Sequence, residues 1–242
     1  ADRGFSGNPH DTGNDRTYSL DVLPQEFPCR LTGDFRSPVL DLVNADGSLG
    51  CDLRYQGYEI CDGKYNLKGL PAVYAAEEEA QTLIIYMKDQ VTGLQVELLY
   101  GVLPEYDVIT RSAKVINTEE DKIRLTKAQA ACIDFLHGEF DVISFYGRHA
   151  MERNMQRTSV GHGAFVIGSR RGTSSHQYNP MLILAEKETT EDAGTCYGMS
   201  FVYSGGFKAE VEKDQFGQTR MQMGLQEEQF SYPLKKGEEF VI

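Results

Sequence analysis

Short alternating or apolar segments recur along most of this chain at intervals of about ten residues, and Gly, Asp, Asn or Pro residues separate them. This spacing is typical of antiparallel β-strands joined by turns. The clearest example is residues 82–98, where a β-branched and apolar run is followed by the turn residues Val91, Thr92 and Gly93 and then by a run that alternates with a period of two. The pattern predicts a β-hairpin at this position and an all-β fold for the chain.

Similar segments predict the other strands. They lie at residues 108–115, 123–133, 141–145, 164–168, 181–185, 197–203, 208–212, 219–223 and 230–234, and residues 239–242 resemble the start of one more. Helical composition is confined to residues 77–80, so minimal helix is expected. A chain of 242 residues with this many strands suits two large packed sheets. We therefore predict a large two-sheet antiparallel β-sandwich, a supersandwich, as a single domain over residues 18–242, preceded by an irregular N-terminal arm over residues 1–17.

Charge and composition narrow the classes of partner. The chain has 24 Lys and Arg against 36 Asp and Glu, a net charge of −12, which argues against binding to nucleic acid. Its apolar runs are too short to cross a bilayer and no signal peptide opens it, so no membrane partner is expected. Five cysteines without a C-x-x-C pair indicate neither a disulfide framework nor a zinc ribbon, and they favour a cytoplasmic location. The missing initiator Met and the apolar ending suggest a piece of a longer chain.

Catalytic signatures are scarce. The sequence has no phosphate-cradling glycine loop, no H-E-x-x-H and no Gly-x-Ser-x-Gly elbow. Four histidines follow the strand and turn spacing and are interpreted as ordinary loop or sheet residues: His137, His149, His162 and His176. No catalytic residue, metal or cofactor is predicted within this chain.

The segment of residues 33–38, hereafter the 33–38 loop, is the most informative polar stretch. Gly33 and Pro38 bracket an acid, an aromatic ring and a base, namely Asp34, Phe35 and Arg36. A loop held at both ends could present its carboxylate to sugar hydroxyls and its ring to the apolar face of a sugar. On composition alone a tight turn in which Arg36 pairs with Asp34 is the stronger interpretation.

Several motifs, in this order, resemble the N-terminal β-sandwich domain of family 36 glycoside hydrolases, the bacterial α-galactosidases also called melibiases. They are D-R-G-F-S-G-N-P at residues 2–9, Y-S-L-D at 18–21, T-G-D-F-R-S-P at 32–38, D-L-R-Y at 52–55, G-L-P-A at 69–72, Y-D-V-I-T-R-S at 106–112, R-R-G-T-S-S-H-Q-Y-N-P at 170–180 and D-Q-F-G-Q-T-R at 214–220. The resemblance spans nearly the whole chain.

This resemblance implies a parent enzyme that hydrolyses terminal α-galactosides, of the melibiose and raffinose type, with retention. In similar enzymes both catalytic carboxylates belong to a (β/α)₈ barrel that is absent from these residues, so the chain alone is expected to be inactive. The family also implies homo-oligomers in which the 33–38 loop reaches a neighbouring subunit's active site. Asp34 and Phe35 would there help to bound the galactose, with Arg36 as support. The expected partners are the sugar, the barrel and neighbouring subunits.

Two other functions remain open. A stand-alone carbohydrate-binding module would need an exposed aromatic platform, and the chain has 13 Tyr but no Trp. A mutarotase-like isomerase would use His162 or His176 as acid and Glu210 or Glu212 as base. A His and a Glu that converge on one cavity would favour the isomerase.

Overall fold

The computed structural model describes residues 22–118 and 122–242, so the arm predicted at residues 1–17 lies outside the described residues. The strands are β1 (Leu40–Val43), β2 (Leu53–Asp62), β3 (Gln81–Asp89), β4 (Gln95–Leu103), β5 (Val108–Ile116), β6 (Ile123–Phe135), β7 (Phe140–Arg148), β8 (Met151–Ser159), β9 (Gly163–Gly168), β10 (Tyr178–Glu186), β11 (Cys196–Ser200), β12 (Phe207–Lys213), β13 (Thr219–Leu225), β14 (Tyr232–Leu234) and β15 (Glu239–Val241). Helical structure includes 3-10 turns at Glu77–Glu79 and Pro104–Tyr106. None of the helices in this part of the chain is long and apolar enough to cross a membrane.

The strands form three sheets. A six-stranded sheet has the order β1-β6-β13-β12-β9, with β14 also paired to β6; a four-stranded sheet has the order β11-β10-β7-β8; and a five-stranded sheet has the order β15-β5-β4-β3-β2. All pairings between these strands are antiparallel. The predicted all-β antiparallel fold with minimal helix is therefore confirmed, with its hydrogen bonds divided among three sheets.

Two apolar cores hold the sheets together, and the six-stranded sheet contributes to both. One core joins residues of β4 and β5 to residues of β1, β6 and β14, including the fully buried Leu98 and Leu125. The other joins residues of β7 and β10 to residues of β9, β12 and β13, including the fully buried Leu184 and Met221. The alternation of buried and less buried residues in a strand such as β4 follows from this arrangement, because one face of that strand points at a core.

Three strands have no counterpart in the sequence prediction. Strand β8 is exposed along most of its length, and β2 is exposed over much of its length, so neither shows an apolar period. Strand β1 has only four residues. The predicted hairpin is confirmed as β3 and β4, and Gly93 in its turn has a φ of 72°, which favours glycine.

Candidate functional site

The 33–38 loop holds its three candidate residues in different environments. The side chain of Phe35 projects outward and is 84% exposed, whereas Asp34 and Arg36 are each only 6% exposed. Gly33 begins the loop with a φ of +94°, a backbone conformation that a residue with a Cβ rarely adopts. The structure thus offers the ring to a ligand and buries the acid and the base.

A row of charged residues across three strands supports the loop. The antiparallel register places Arg220 of β13 opposite Asp134 of β6 on one side and opposite Glu212 of β12 on the other. Arg220 donates through Nε and Nη2 to the two carboxylate oxygens of Asp134, at 2.7 and 2.8 Å. Because Arg220 and Asp134 are almost wholly buried, this row of charged residues is a rigid support beneath the loop.

The loop is fastened to that row through the backbone of Ser37. The Ser37 N–H donates to Oε2 of Glu212 at 2.8 Å, and the Ser37 carbonyl accepts from Nη1 of Arg220 at 3.0 Å. The Ser37 hydroxyl accepts from Nζ of Lys127 on β6 at 2.8 Å. Three strands therefore fix the position of Ser37, and Phe35, two residues earlier in the same loop, is held on a rigid support.

Asp34 joins the two arginines into one buried ion network. Its Oδ1 accepts from the backbone N–H and from Nε of Arg36, at 3.0 and 2.9 Å, and its Oδ2 accepts from Nη2 of Arg36 at 2.9 Å and from Nη2 of Arg220 at 2.7 Å. Arg36 also donates to the carbonyl of Leu23 and pairs with Asp134. The pairing of Arg36 with Asp34, one of the two interpretations of the sequence, is therefore present.

The pKa values of Asp34 and Arg220 are both shifted in the direction that favours their charged forms. Burial alone would raise the pKa of the Asp34 carboxyl, but the hydrogen bond from Arg36 and the charge of Arg220 outweigh it and hold that pKa below its ordinary value. Burial likewise opposes the charge on Arg220, yet its hydrogen bonds and charge interactions with Asp134 and Asp34 raise its pKa. Both shifts favour the charged form, so Asp34 and Arg220 form an ion pair inside the domain.

A small pocket opens beside Phe35. It has a volume of about 320 Å³, and its lining includes Phe35, His162, Glu212 and Gln215. The turn between β12 and β13 shapes one side, because Asp214 Oδ1 accepts from the backbone N–H groups of Phe216 and Gln218, each at 2.9 Å. His162 and Glu212, one of the pairs weighed for an isomerase, both line this pocket. Each of them also has a structural contact, because Glu212 Oε2 accepts from the Ser37 N–H and His162 Nδ1 lies 2.9 Å from the carbonyl oxygen of Asp214, so the pair alone does not indicate an isomerase.

The alternative members of that pair lie elsewhere. Glu210 is buried and forms an ion pair with Lys208 at 2.7 Å. His176 lies in the connection between β9 and β10 and does not line the pocket beside Phe35. No group of three or more His, Cys, Asp or Glu side chains that could hold a metal ion is found among residues 22–118 and 122–242.

Sequence reasoning did not single out Asp134 and Arg220 as partners of the loop. Asp134 is an acid inside a strand with several buried apolar residues, next to Ile133 and Phe135, and such an acid requires a cationic partner when buried. An acid among apolar strand residues therefore predicts that Asp134 forms an ion pair. The choice of Arg220 follows only from the register of β6 with β13.

A larger apolar groove has a volume of about 1090 Å³. It is lined by residues of the five-stranded sheet, of β6 and β13 in the six-stranded sheet, and of β10 and β11 in the four-stranded sheet. Tyr65, Leu70 and Ile109 are among its lining residues, and the Ile109 side chain is 66% exposed. Arg111 also lines the groove, where it packs on the ring of Tyr100 and pairs with Glu26. An apolar surface of this kind is typical of a contact with another domain or subunit.

Comparison with known proteins places this architecture in a family. The model of the glycosyl hydrolase family 36 N-terminal domain matches residues 2–235. The chain belongs to this family. The fold agrees, since the solved galactosidase domain of the α-galactosidase–sucrose kinase AgaSK superposes with a TM-score of 0.93 at 62% identity, over all of this chain and 34% of that chain.

Comparison with whole relatives agrees with this assignment. The bifunctional α-galactosidase/sucrose kinase AgaSK of Mediterraneibacter gnavus is 62% identical over all of this chain and 26% of its own length, and the α-galactosidase Mel36A of Lactobacillus acidophilus is 43% identical over 99% of this chain and 33% of its own. The crystal structure of the family 36 α-galactosidase AgaA of Geobacillus stearothermophilus superposes with a TM-score of 0.93 at 42% identity, over all of this chain and 33% of that chain. This family 36 N-terminal domain therefore spans about a quarter to a third of the relatives it matches.

Proposed function

We propose that this chain is the non-catalytic N-terminal domain of a retaining α-galactosidase that hydrolyses terminal α-galactosides. In this proposal the domain supports assembly of the subunits into a homo-oligomer, and its 33–38 loop helps to form a neighbouring subunit's active site. The relatives named as α-galactosidases support the activity. Structures of AgaA variants in complex with stachyose and raffinose support the class of sugar.

The observation that carries the proposal is an exposed aromatic ring on a rigidly held loop. Covering an exposed Phe side chain with a binding partner is favourable, because apolar surface is removed from water. The buried ion network holds the loop in place and so determines where that partner must bind. Aromatic rings commonly cover the apolar face of a sugar. Phe35 therefore provides the contact surface of the loop.

Asp34 and Arg36 contribute differently in this proposal. The Asp34 carboxylate already accepts four hydrogen bonds, which is about the full capacity of its two oxygens. A sugar hydroxyl that reached Asp34 would therefore have to replace one of those hydrogen bonds. The main role of Asp34 and Arg36 in this proposal is to hold Phe35 in place.

The free cysteines support a cytoplasmic location. All five cysteines are free thiols. Three of them, Cys29, Cys51 and Cys132, are buried. Proteins kept in a reducing compartment retain such unpaired thiols. We therefore include a cytoplasmic location in the proposal.

The test is Phe35→Ala in the full-length enzyme. We expect kcat/KM on a nitrophenyl α-galactoside to fall by about 10- to 100-fold, which corresponds to the burial of one Phe side chain. The melting temperature should stay within about 2 °C, because Phe35 has little contact with its own domain. Unchanged kinetics would contradict the proposal.

Mixed oligomers test whether the loop acts on a neighbouring subunit. Chains with Phe35→Ala are co-assembled with chains that lack the nucleophile of the barrel. Intact loops then lie opposite intact barrels in some pairs, so part of the activity should return. If subunits exchange and the mixture stays inactive, the loop does not act across the interface.

A further inference from the structure

Two free thiols lie side by side in the core that joins the five-stranded sheet to the six-stranded sheet. Cys29 and Cys51 both belong to this core and are only 4% and 8% exposed. The thiol of Cys29 is in hydrogen-bond contact with the thiol of Cys51, and it also donates to the carbonyl oxygen of Phe27 at 3.6 Å. These two cysteines are separate from the buried ion network under the 33–38 loop, so the support of that loop does not account for them.

The backbone around β1 brings the two cysteines together. One edge of β1 pairs with β6, and on its other edge Cys29 forms a parallel bridge with the first residue of the strand. Further along that edge, the N–H of Gly50 donates to a carbonyl of β1 at 3.3 Å. The two segments touch, because a Cβ at position 50 would collide with the carbonyl oxygen of Arg30. Cys29 and Cys51 therefore flank a contact between backbones that the fold already fixes.

A bond between these two thiols would close a ring around the 33–38 loop. The loop and β1 both lie between Cys29 and Cys51 along the chain. The ends of the loop are already close in the folded chain, since the N–H of Val39 donates to the carbonyl of Pro28 at 2.9 Å. A cross-link that matches the folded geometry acts mainly by restricting the unfolded chain, so it would stabilise this part of the domain.

The surroundings of the two thiols indicate which of them reacts first. The hydrogen-bond contact with Cys51 and burial raise the pKa of the Cys29 thiol, so this thiol stays protonated and is a weak nucleophile at neutral pH. Cys51 is the less buried of the two and precedes the exposed Asp52. A reagent from solvent therefore reaches Cys51 first, and a reaction of hours is expected.

We propose that Cys29 and Cys51 form a reversible disulfide when the enzyme meets a low-molecular-weight disulfide such as oxidised glutathione. The Cys51 thiolate attacks one sulfur of the oxidant, which gives a mixed disulfide and releases one glutathione thiolate. The Cys29 thiolate then attacks the Cys51 sulfur and releases the second. The two cysteine thiols are oxidised to one disulfide, the oxidant is reduced, and the two protons pass to the two glutathione molecules. This inference is independent of the proposed function.

The test is a tryptic peptide map of the full-length enzyme, under non-reducing conditions, after several hours with oxidised glutathione. Arg30 and Arg36 lie between the two cysteines, so trypsin releases Cys29 and Cys51 on separate peptides. We expect a peptide pair joined through these cysteines that separates after reduction with dithiothreitol. The proposal is wrong if both cysteines are recovered as free thiols or as separate glutathione adducts, or if the joined pair forms only in urea.

A second measurement follows the stability of this domain within the full-length enzyme. Cys132 is buried in the same core, so its reaction with iodoacetamide reports when the core unfolds. The temperature at which half of Cys132 has reacted should be about 4–16 °C higher in the oxidised enzyme than in the reduced one, the effect of one disulfide in a domain of this length. An unchanged temperature with a complete disulfide would overturn the proposed stabilisation.

Three variants separate this bond from other thiol chemistry. Cys51→Ala removes the thiol that reacts first, so oxidised glutathione should leave Cys29 free and the unfolding temperature unchanged. Cys29→Ala should stop at the mixed disulfide on Cys51. Cys196→Ala is the matched control, because Cys196 is free but exposed, and this variant should keep the joined peptides and the temperature shift. Loss of the joined peptides in Cys196→Ala would show that the bond arises through Cys196, which contradicts direct closure of the pair.

Discussion

Replacement of Asp34 by Ala is expected to destabilise the domain strongly, because it leaves two buried guanidiniums with one carboxylate, Asp134, where they had two. The side chains of Asp34, Arg36 and Arg220 are exposed by only 1%, 4% and 0%. Breaking a buried ion pair by removing one partner costs about 3–5 kcal/mol. For a domain of this length each kcal/mol lowers the melting temperature by about 2–4 °C, so we expect a decrease of about 6–20 °C.

The chain contains a matched control for this substitution. Asp52 accepts from Arg54 with the same two-residue spacing, but these side chains are 57% and 38% exposed. An exposed pair contributes about 0–1 kcal/mol, so Asp52→Ala should lower the free energy of unfolding by less than about 1 kcal/mol. Urea unfolding followed by circular dichroism measures both variants. Equal losses for the two would refute the reasoning, as would a loss below about 1 kcal/mol for Asp34→Ala.

The pH dependence of the same variant gives an independent check. The pKa of Asp34 is lowered in the folded chain, so its ionised form stabilises the fold above the ordinary pKa of an Asp in the unfolded chain, about 3.9. That contribution is lost as pH falls through the folded pKa. The stability difference between wild type and Asp34→Ala should therefore narrow below about pH 4. A difference that stays constant or widens would contradict the assigned charge state.

The remaining predictions concern activity, association and thiol chemistry. The 242-residue chain should not turn over a chromogenic α-galactoside above buffer, because a retaining site needs two carboxylates about 5–5.5 Å apart and the barrel that would hold them is absent; turnover abolished by a substitution within the chain would contradict this. Its apolar groove should cause self-association at micromolar to near-millimolar concentration, and Ile109→Lys should reduce it in light scattering, whereas a monomeric wild type would count against the groove as a docking surface. Burial raises the pKa of the Cys132 thiol to about 12, so a thiol reagent at neutral pH should modify the exposed Cys196 first and Cys132 only on unfolding. Cys132 lines the apolar groove, so its rapid modification in the folded chain would show that the groove opens to the reagent.

A strand whose side chains alternate between a core and solvent can be predicted from the sequence. In β4, for example, Val96 and Leu98 are buried while Gln95 and Glu97 are less so, and this period of two is visible without a structure. Strand β8 is exposed at nearly every position, and its pairing with β7 comes from backbone hydrogen bonds that leave no periodic trace in the sequence. The division into three sheets depends on the same long-range pairings.

The candidate site shows the same division. The local sequence determined that the 33–38 loop would be bracketed by Gly33 and Pro38 and that Arg36 could reach Asp34, because these residues are neighbours along the chain. The assignment to family 36 followed from ordered motifs, and the family match confirms it.

Only the tertiary structure decided which charges surround that loop. Asp134 and Arg220 are separated by 86 positions in the chain, and they meet because β6 and β13 pair in a register set by many backbone hydrogen bonds and by the packing of both strands. Side-chain chemistry specifies that a buried acid needs a cation, but the choice of that cation depends on the whole sheet. For the same reason the outward position of Phe35, and its pocket shared with His162 and Glu212, were determined by the fold and not by the loop's own sequence.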